Sequence, residues 1–316
     1  MYRVGFEEIH KIWSDISYRP VFQFIHRIST VHVPVFGTSG TLPEHLLDTL
    51  PELTSTVWKT IRMPSNRKEL VYEIRRLPRE QRLQEAIVEY WQRIHSSYRE
   101  EDRCLVFCRT IAQCKSLATL LGVDPYHRDC QDDSAVQKFK QGTQKILPTT
   151  VKLGCGFHYS HIRDVIHMDI AYSMVDQLQE DSRGGRDGLP CNAITFVSEG
   201  FPSFKDTKEY DLRATAVYQW AKETERCLRI APSLFLDGVP VTCCLIGAQL
   251  CANCTNQLVK PPPSLARSLP IPKALPVPAQ GISKPKTLKR PMDYETPLVT
   301  KRLRKEASTP SSIGYR

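Results

Sequence analysis

The sequence predicts an α/β protein built on a parallel sheet, followed by a helical metal-binding segment and a disordered tail. Three observations carry that reading. Between residues 103 and 197 short apolar runs alternate with amphipathic stretches, the pattern of parallel strands joined by right-handed helical crossovers. Five of the 11 cysteines crowd into residues 227–254. An odd cysteine count in a chain without a signal-peptide pattern favours metal ligation over a disulfide framework. From Val259 onward the chain holds 11 of its 23 prolines, and such stretches stay extended because they cannot pack a core.

The length of 316 residues suits about two domains with a sizeable core. The net charge of +9 is uneven: the segment from Val259 carries 12 Lys/Arg against 3 Asp/Glu, which leaves 31 of each in residues 1–258. The basic pI therefore belongs to the tail, and by itself says nothing about nucleic-acid binding by the folded body. No apolar run reaches the roughly 18 residues that span a bilayer, so no membrane partner is expected.

At residues 5–10 a short apolar strand runs into Glu7, Glu8 and His10. Such an acidic pair can hold magnesium and polarise a water, or can simply sit at a helix start. Trp13, Tyr18 and Arg19 suit base stacking and phosphate contact, with core packing as the alternative for the two rings. Residues 31–36 form a strand pattern. Thr41 after it either relays hydrogen bonds or caps a helix over 44–50, with Pro43 in its first turn. A helix is predicted over 82–98 with Leu83, Ile87, Trp91 and Ile94 inward. Residues 103–109 read as a strand with Cys104 and Cys108 as buried hydrophobes. Thr110 then caps a helix with Ile111, Cys114, Leu117 and Leu121 inward and Gly122 at its end. A helix and strand fill 136–147, and Gly154 and Gly156 let the backbone approach a ligand closely.

The helix over 174–183 presents the string from Gln179 to Gly188. Arg183 and Arg186 lie three apart among Gly184, Gly185 and Gly188, so both guanidiniums share one side of a short helical turn at the cleft edge. Arginine stays charged and grips phosphate bidentately, which suits stabilising charge on a transferred phosphoryl group. The alternative is a glycine-closed helix end with solvated charges. A strand follows over 193–197. Leu212 to Cys227 looks helical, and Pro232 is unusual inside the helix after it. Cys227, Cys251 and Cys254 with either Cys244 or Cys243 could tie one zinc.

Taken in order, these stretches resemble RecQ-type DNA helicases of superfamily 2. The string at 179–188 is similar to their Gln-x-x-Gly-Arg-x-Gly-Arg-Asp-Gly motif VI. Thr149 to His167 resembles motif V, with Thr149, Gly154, Gly156, Arg163 and His167 matching and His158 where an aspartate normally contacts the ribose. Residues 7–10 resemble the Asp-Glu-x-His box with Glu7 replacing Asp. Residues 38–43 resemble motif III, and 61–70 resembles the segment that links the two motor lobes.

The resemblance implies a RecA-like second lobe at 83–200, the end of a first lobe at 1–60, a linker at 61–82, a helical zinc subdomain at 201–258 and the tail at 259–316. It implies ATP with Mg2+ and one structural Zn2+, with Cys244 fitting the family's ligand gap better than Cys243. It assigns Glu7, Glu8, His10, Gln179, Arg183 and Arg186 to catalysis, and Gly154, Gly156 and His158 to the nucleotide. Trp13, Tyr18, Arg19, Arg109 and Thr149 are assigned to DNA, single-stranded or at duplex junctions. The expected activity is 3′-to-5′ unwinding in repair, recombination or a telomere-linked role, with likeness to the divergent fungal branch. No Gly-x-x-x-x-Gly-Lys-Ser/Thr occurs, so an N-terminally truncated motor is expected, with negligible ATPase of its own. The alternative is a non-catalytic, zinc-containing DNA-binding remnant. Lys289-Arg290 and Lys301–Lys305 resemble a two-part import signal, implying an import receptor and a nuclear location.

Overall fold

The computed structural model describes residues 2–12, 19–78, 82–153, 157–199 and 212–259. Trp13, Tyr18, Gly154, Gly156 and the basic tail lie outside the described residues. Residues 1–263 form one compact unit.

The N-terminal piece is small. Strand β1 (Val4–Glu7) pairs in parallel with β2 (Val35–Thr38), with Val4 opposite Val35 and Glu7 opposite Thr38. A 3-10 helix (Pro20–Thr30) and helix α1 (Leu50–Thr54) pack on this pair. Its core is Ile9, Ile12 and Leu50, backed by Phe22, Ile25 and Trp58. The expected helix over 44–50 is instead a 3-10 turn (Glu44–Leu46), preceded by an extended Pro43 with no side-chain cap. Pro51 is the reason: proline fits only the first turn of a helix, so the helix restarts at Leu50.

The main body is one five-stranded parallel sheet in the order β3 (Leu70–Leu77), β7 (Cys191–Ser198), β6 (Ile162–Met168), β4 (Arg103–Cys108), β5 (Ile146–Thr149). Strand β3 corrects the expected linker over 61–82. Its eight residues pair with β7 from Leu70 opposite Cys191 to Leu77 opposite Ser198, so the connecting segment ends before Leu70. Alternation along β4 divides the core, because successive strand side chains point to opposite faces. Cys104, Val106 and Cys108 face helices α2 (Leu83–Ile94) and α3 (Ile111–Leu121), meeting Ala86, Ile87, Cys114 and Leu117. Leu105 and Phe107 face the other layer, where Val136, Phe139, Met174 and Leu178 come from α4 (Ser134–Gln141) and α5 (Met174–Asp181).

The α3 termini follow the sequence reading. Thr110 and Gln113 form a reciprocal capping box, and Gly122 closes the helix at φ 67°. Helix α2 is shorter than expected and gives way to a 3-10 turn at His95–Ser97.

Beyond the sheet come α6 (Leu212–Ala221), α7 (Ile230–Asp237), α8 (Cys243–Ile246) and α9 (Ala252–Val259). Helix α6 stops at Ala221, so Cys227 sits in the turn before α7 and not on a helix. Pro232 is the third residue of α7, where a backbone N–H has no intrahelical acceptor and its loss costs little. Among the described residues no helix is long and apolar enough to cross a membrane.

Candidate nucleotide and metal sites

Helix α5 positions the first site. Ser173 caps it by accepting from the Asp176 amide, and Gln177, Glu180 and Asp181 are buried along it. The helix ends at Asp181, two residues short of the arginine expected at its end. Arg183 and Arg186 therefore stand on a turn shaped by Gly185 (φ 60°) and Gly188 (φ 80°), backbone that favours glycine. The Gly184 amide donates to the Asp181 carbonyl and the Gly185 amide to the Ile162 carbonyl, each at 3.0 Å. The turn thus lies at the amino ends of β6 and β7. The switch-point rule for open sheets would place a ligand at the carboxyl ends.

Gln179 faces the N-terminal piece. Its Nε2 lies 3.0 Å from Thr41 Oγ1, 3.3 Å from His10 Nε2 and 3.4 Å from Glu8 Oε2. Of the two readings offered for Thr41, the structure shows a hydrogen-bond partner of Gln179 and no helix cap. His10 is buried with Nδ1 2.7 Å from Ser39 Oγ, and Ser39 Oγ reaches Glu8 Oε2 at 3.3 Å. The hydrogen bond from His10 holds the Glu8 carboxyl below its ordinary range, against partial burial. Glu8 has φ 54°, a strained conformation for a residue with a Cβ. Glu7, at the end of β1, is exposed.

The two arginines converge on residues 157–158. Arg183 Nη1 donates to the Phe157 carbonyl at 2.8 Å, and Arg186 Nη1 lies 3.0 Å from His158 Nδ1. Burial, then repulsion from Arg183 and Arg67, lowers the pKa of Arg186. Crowded guanidiniums of this kind favour an anion. Behind them Arg163 donates to Asp102 Oδ1 at 2.8 Å and to Asp187 Oδ1 at 3.0 Å, and its hydrogen bonds hold the Asp187 carboxyl well below the usual range.

The residues expected at DNA are spread more widely. Arg109 lies 3.6 Å from Asp169 and stacks over Tyr172. Arg19 stacks over Phe22. Thr149 is corrected: it is fully buried, and its hydroxyl donates to the Tyr126 carbonyl at 2.9 Å, locking the end of β5 instead of facing outward.

The second site gathers Cys227, Cys243, Cys251 and Cys254, whose sulfurs all lie within 4.8 Å of one another. Cys244 is exposed. Adjacent residues of α8 project about 100° apart, so only Cys243 turns inward. Cys227 Sγ is 3.5 Å from Cys243 Sγ and 3.8 Å from Cys251 Sγ. Tetrahedral zinc thiolates need about 3.8 Å between sulfurs, so the set fits one zinc. Backbone amides of Cys243, Leu228 and Cys251 each donate to a cysteine sulfur at 3.3 Å. Hydrogen bonds from Cys227 and Cys243 push the Cys251 thiol down, while the bonds to Cys243 and Cys251 push Cys227 up. Burial lifts Cys254 to about 12. Without a cation the four thiols cannot all ionise, which a bound zinc would allow.

Two positions escaped the sequence reading. Ser39 bridges His10 and Glu8, and Arg67 reaches the arginine turn. Both were in quoted motifs, but nothing local marks a serine or a linker arginine as a contact with a distant segment.

Residues 82–188 match the helicase conserved C-terminal domain. A Caenorhabditis briggsae homologue of the DNA helicase Q1 kind is 24% identical over 246 residues, covering 72% of this chain and 39% of its own. ATP-dependent DNA helicase Q-like 2 of Arabidopsis thaliana is 26% identical over 192 residues, 57% of this chain and 27% of that protein. The chain thus spans well under half the length of these relatives. In fold, the solved structure of S. cerevisiae Dbp5 bound to RNA and ADP BeF3 is similar with a TM-score of 0.51 at 15% identity, over 63% of this chain and 54% of that one.

Proposed function

We propose that this chain, whose residues 82–188 match the helicase conserved C-terminal domain and whose sequence is similar to RecQ-type DNA helicases, carries the C-terminal helicase domain of an ATP-dependent 3′-to-5′ DNA helicase of the RecQ type. The observation that carries the reading is the convergence on Gln179. It joins the acid–histidine segment, the Thr41 turn and the arginine string in one hydrogen-bonded group. A nucleotide-driven motor needs these parts to meet, because the lobe that senses the nucleotide must press on the lobe that carries the arginines.

In this reading Glu8, kept ionised by His10, accepts a proton from the attacking water, and Glu7 helps hold magnesium. Magnesium would supply charge neutralisation on the phosphates. Arg183 and Arg186 stabilise the charge that builds on the transferred group, and Gln179 reports its state to the N-terminal piece. Arg19 and Arg109 are proposed phosphate contacts on the DNA track. The four-cysteine module is proposed to hold one structural zinc. A nuclear location and roles in repair or recombination follow from the family reading and the basic tail.

The test has two arms. Supplied with the nucleotide-binding half-lobe of a RecQ-type relative as a fusion, the chain should show DNA-stimulated ATPase. Arg186→Ala should cut kcat by about 10²-fold or more while leaving single-strand DNA affinity within a few-fold. ATPase indifferent to Arg186→Ala, or no single-strand DNA binding at low salt, would overturn the proposal.

A further inference from the structure

The turn that carries Arg183 and Arg186 is gripped from one side by Arg67. Its Nη1 donates to the Ser182 carbonyl at 3.1 Å, and its Nη2 to the Gly184 and Gly185 carbonyls at 2.9 and 3.1 Å. Its Nε pairs with Glu69. Three of the turn's carbonyls thus end on one guanidinium, whose planar fork fixes their relative positions.

The main chain around Arg67 is in turn held by the cysteine module. Arg229 is 1% exposed, a rare burial for a guanidinium. It donates through Nη1 to the Arg67 carbonyl at 2.8 Å and through Nη2 to the carbonyls of Lys68, at 3.5 Å, and Leu70. Arg229 stands two residues after Cys227, and the Leu228 amide between them donates to Cys251 Sγ. The Gln249 amide, two residues before Cys251, adds a bond of 2.9 Å to the Lys68 carbonyl.

At the far end of α7, Asp237 Oδ2 accepts from the Ser65 amide at 2.9 Å and its hydroxyl at 2.8 Å. Asp237 Oδ1 takes Arg62 Nη2 at 3.3 Å, and the same Arg62 donates to the Leu236 carbonyl. The strap 62–70, which joins the N-terminal piece to β3, is therefore stitched to both ends of one helix.

Helix α7 packs Leu236, with Ile230 and Phe235 beside it, against the main core, and a metal held by Cys227, Cys243, Cys251 and Cys254 would in addition fix the turn from which Arg229 projects. A buried guanidinium bonded to main-chain carbonyls holds them only while its own backbone is held, and the same is true of Asp237. Order in the cysteine module thus passes through hydrogen bonds into the strap, and through the Arg67 side chain into the turn.

We propose that Arg229 and Asp237 are positioning residues that clamp the strap 62–70 onto the cysteine module, and that Arg67 passes this constraint to the arginine turn, so that metal held by the four cysteines sets the placement of Arg183 and Arg186. The consequence for catalysis rests on the function proposed above; the linkage itself does not.

Amide hydrogen exchange on the full chain reads the linkage without nucleotide or DNA. Chelation of zinc should speed exchange at least tenfold at the amides of Ser65, Gly184 and Gly185 while β4 and β6 stay protected, and added zinc should restore it. In the zinc-loaded chain Asp237→Ala should open Ser65, and Arg67→Gln should open Gly184 and Gly185, each with one zinc per chain retained. These two variants decide the matter if chelation unfolds the chain as a whole, and they avoid the fully buried Arg229. Zinc-loaded variants with Ser65, Gly184 and Gly185 still protected would overturn the linkage. So would chelation that frees the Cys243 and Cys251 amides alone. Failure of the functional reading appears instead in the ATPase and DNA-binding arms, with exchange unchanged.

Discussion

His167 shows how much a single residue can carry in the core of this molecule. It is 1% exposed, with Nδ1 3.2 Å from Glu180 and Nε2 2.9 Å from Asp181. Burial alone would drive its proton off, but the charge and hydrogen bond of Asp181, with help from Glu180, outweigh that and raise its pKa to about 9. The folded-state value lies above the unfolded one, so this contribution to stability is fully present below about pH 6.5 and is lost as pH rises through about 9. Urea unfolding should show a loss of up to roughly 3 kcal/mol over that window, absent in His167→Gln. A flat wild-type profile would rule the charged pair out. The cysteines give a second prediction at this scale. Cys243→Ser should lose the one zinc per chain, whereas Cys244→Ser should keep it, as read by metal analysis. Spacing placed a four-thiol group in this stretch, but the ligand gap favoured Cys244, and the structure corrects that choice to Cys243. That choice depends on which of two adjacent helical positions faces Cys227, and only the packed helix decides it.

At the scale of elements, local chemistry was readable and long-range contact was not. The Thr110 capping box, the Gly122 terminus and the β4 strand follow from residues within a few positions of one another. Strand β3 was hidden because its sequence mixes charged with apolar residues. Two of these, Glu73 and Arg75, bond to each other, and β3 becomes a strand only by pairing with β7. The arginine turn is similar. Its glycines were legible as a flexible site, but the reason for Gly184 is tertiary. A Cβ there would lie 2.2 Å from Cys191 Sγ and 3.1 Å from Val165 Cγ2. Gly184→Ala should therefore cost about 1–3 kcal/mol in thermal or urea unfolding. Cys191→Ala should recover most of that in the double variant. Full additivity of the two substitutions would show that the packing contact is not the cause.

For the whole molecule, the division of charge makes its own prediction. The surplus of positive charge lies beyond Val259, while residues 1–258 are balanced. A chain ending at residue 263, the limit of the compact unit, should melt at the same temperature as the full chain. Its DNA affinity should fall less steeply with salt, because fewer phosphate counterions are released. An equal salt slope in both would place the basic contacts on the folded body. What the sequence determined by itself was the parallel α/β lobe, the order of its motifs and the cysteine-rich module after it. Strand alternation, helix caps and ligand spacing are properties of neighbours along the chain. What only the tertiary structure decided was which groups meet: Gln179 with Glu8, His10 and Thr41, Arg67 with the arginine turn, and Cys243 rather than Cys244 with the other thiols. Those meetings join residues as far as 171 positions apart, and their geometry is set by the strand order of the sheet and the docking of α7, which no local pattern encodes.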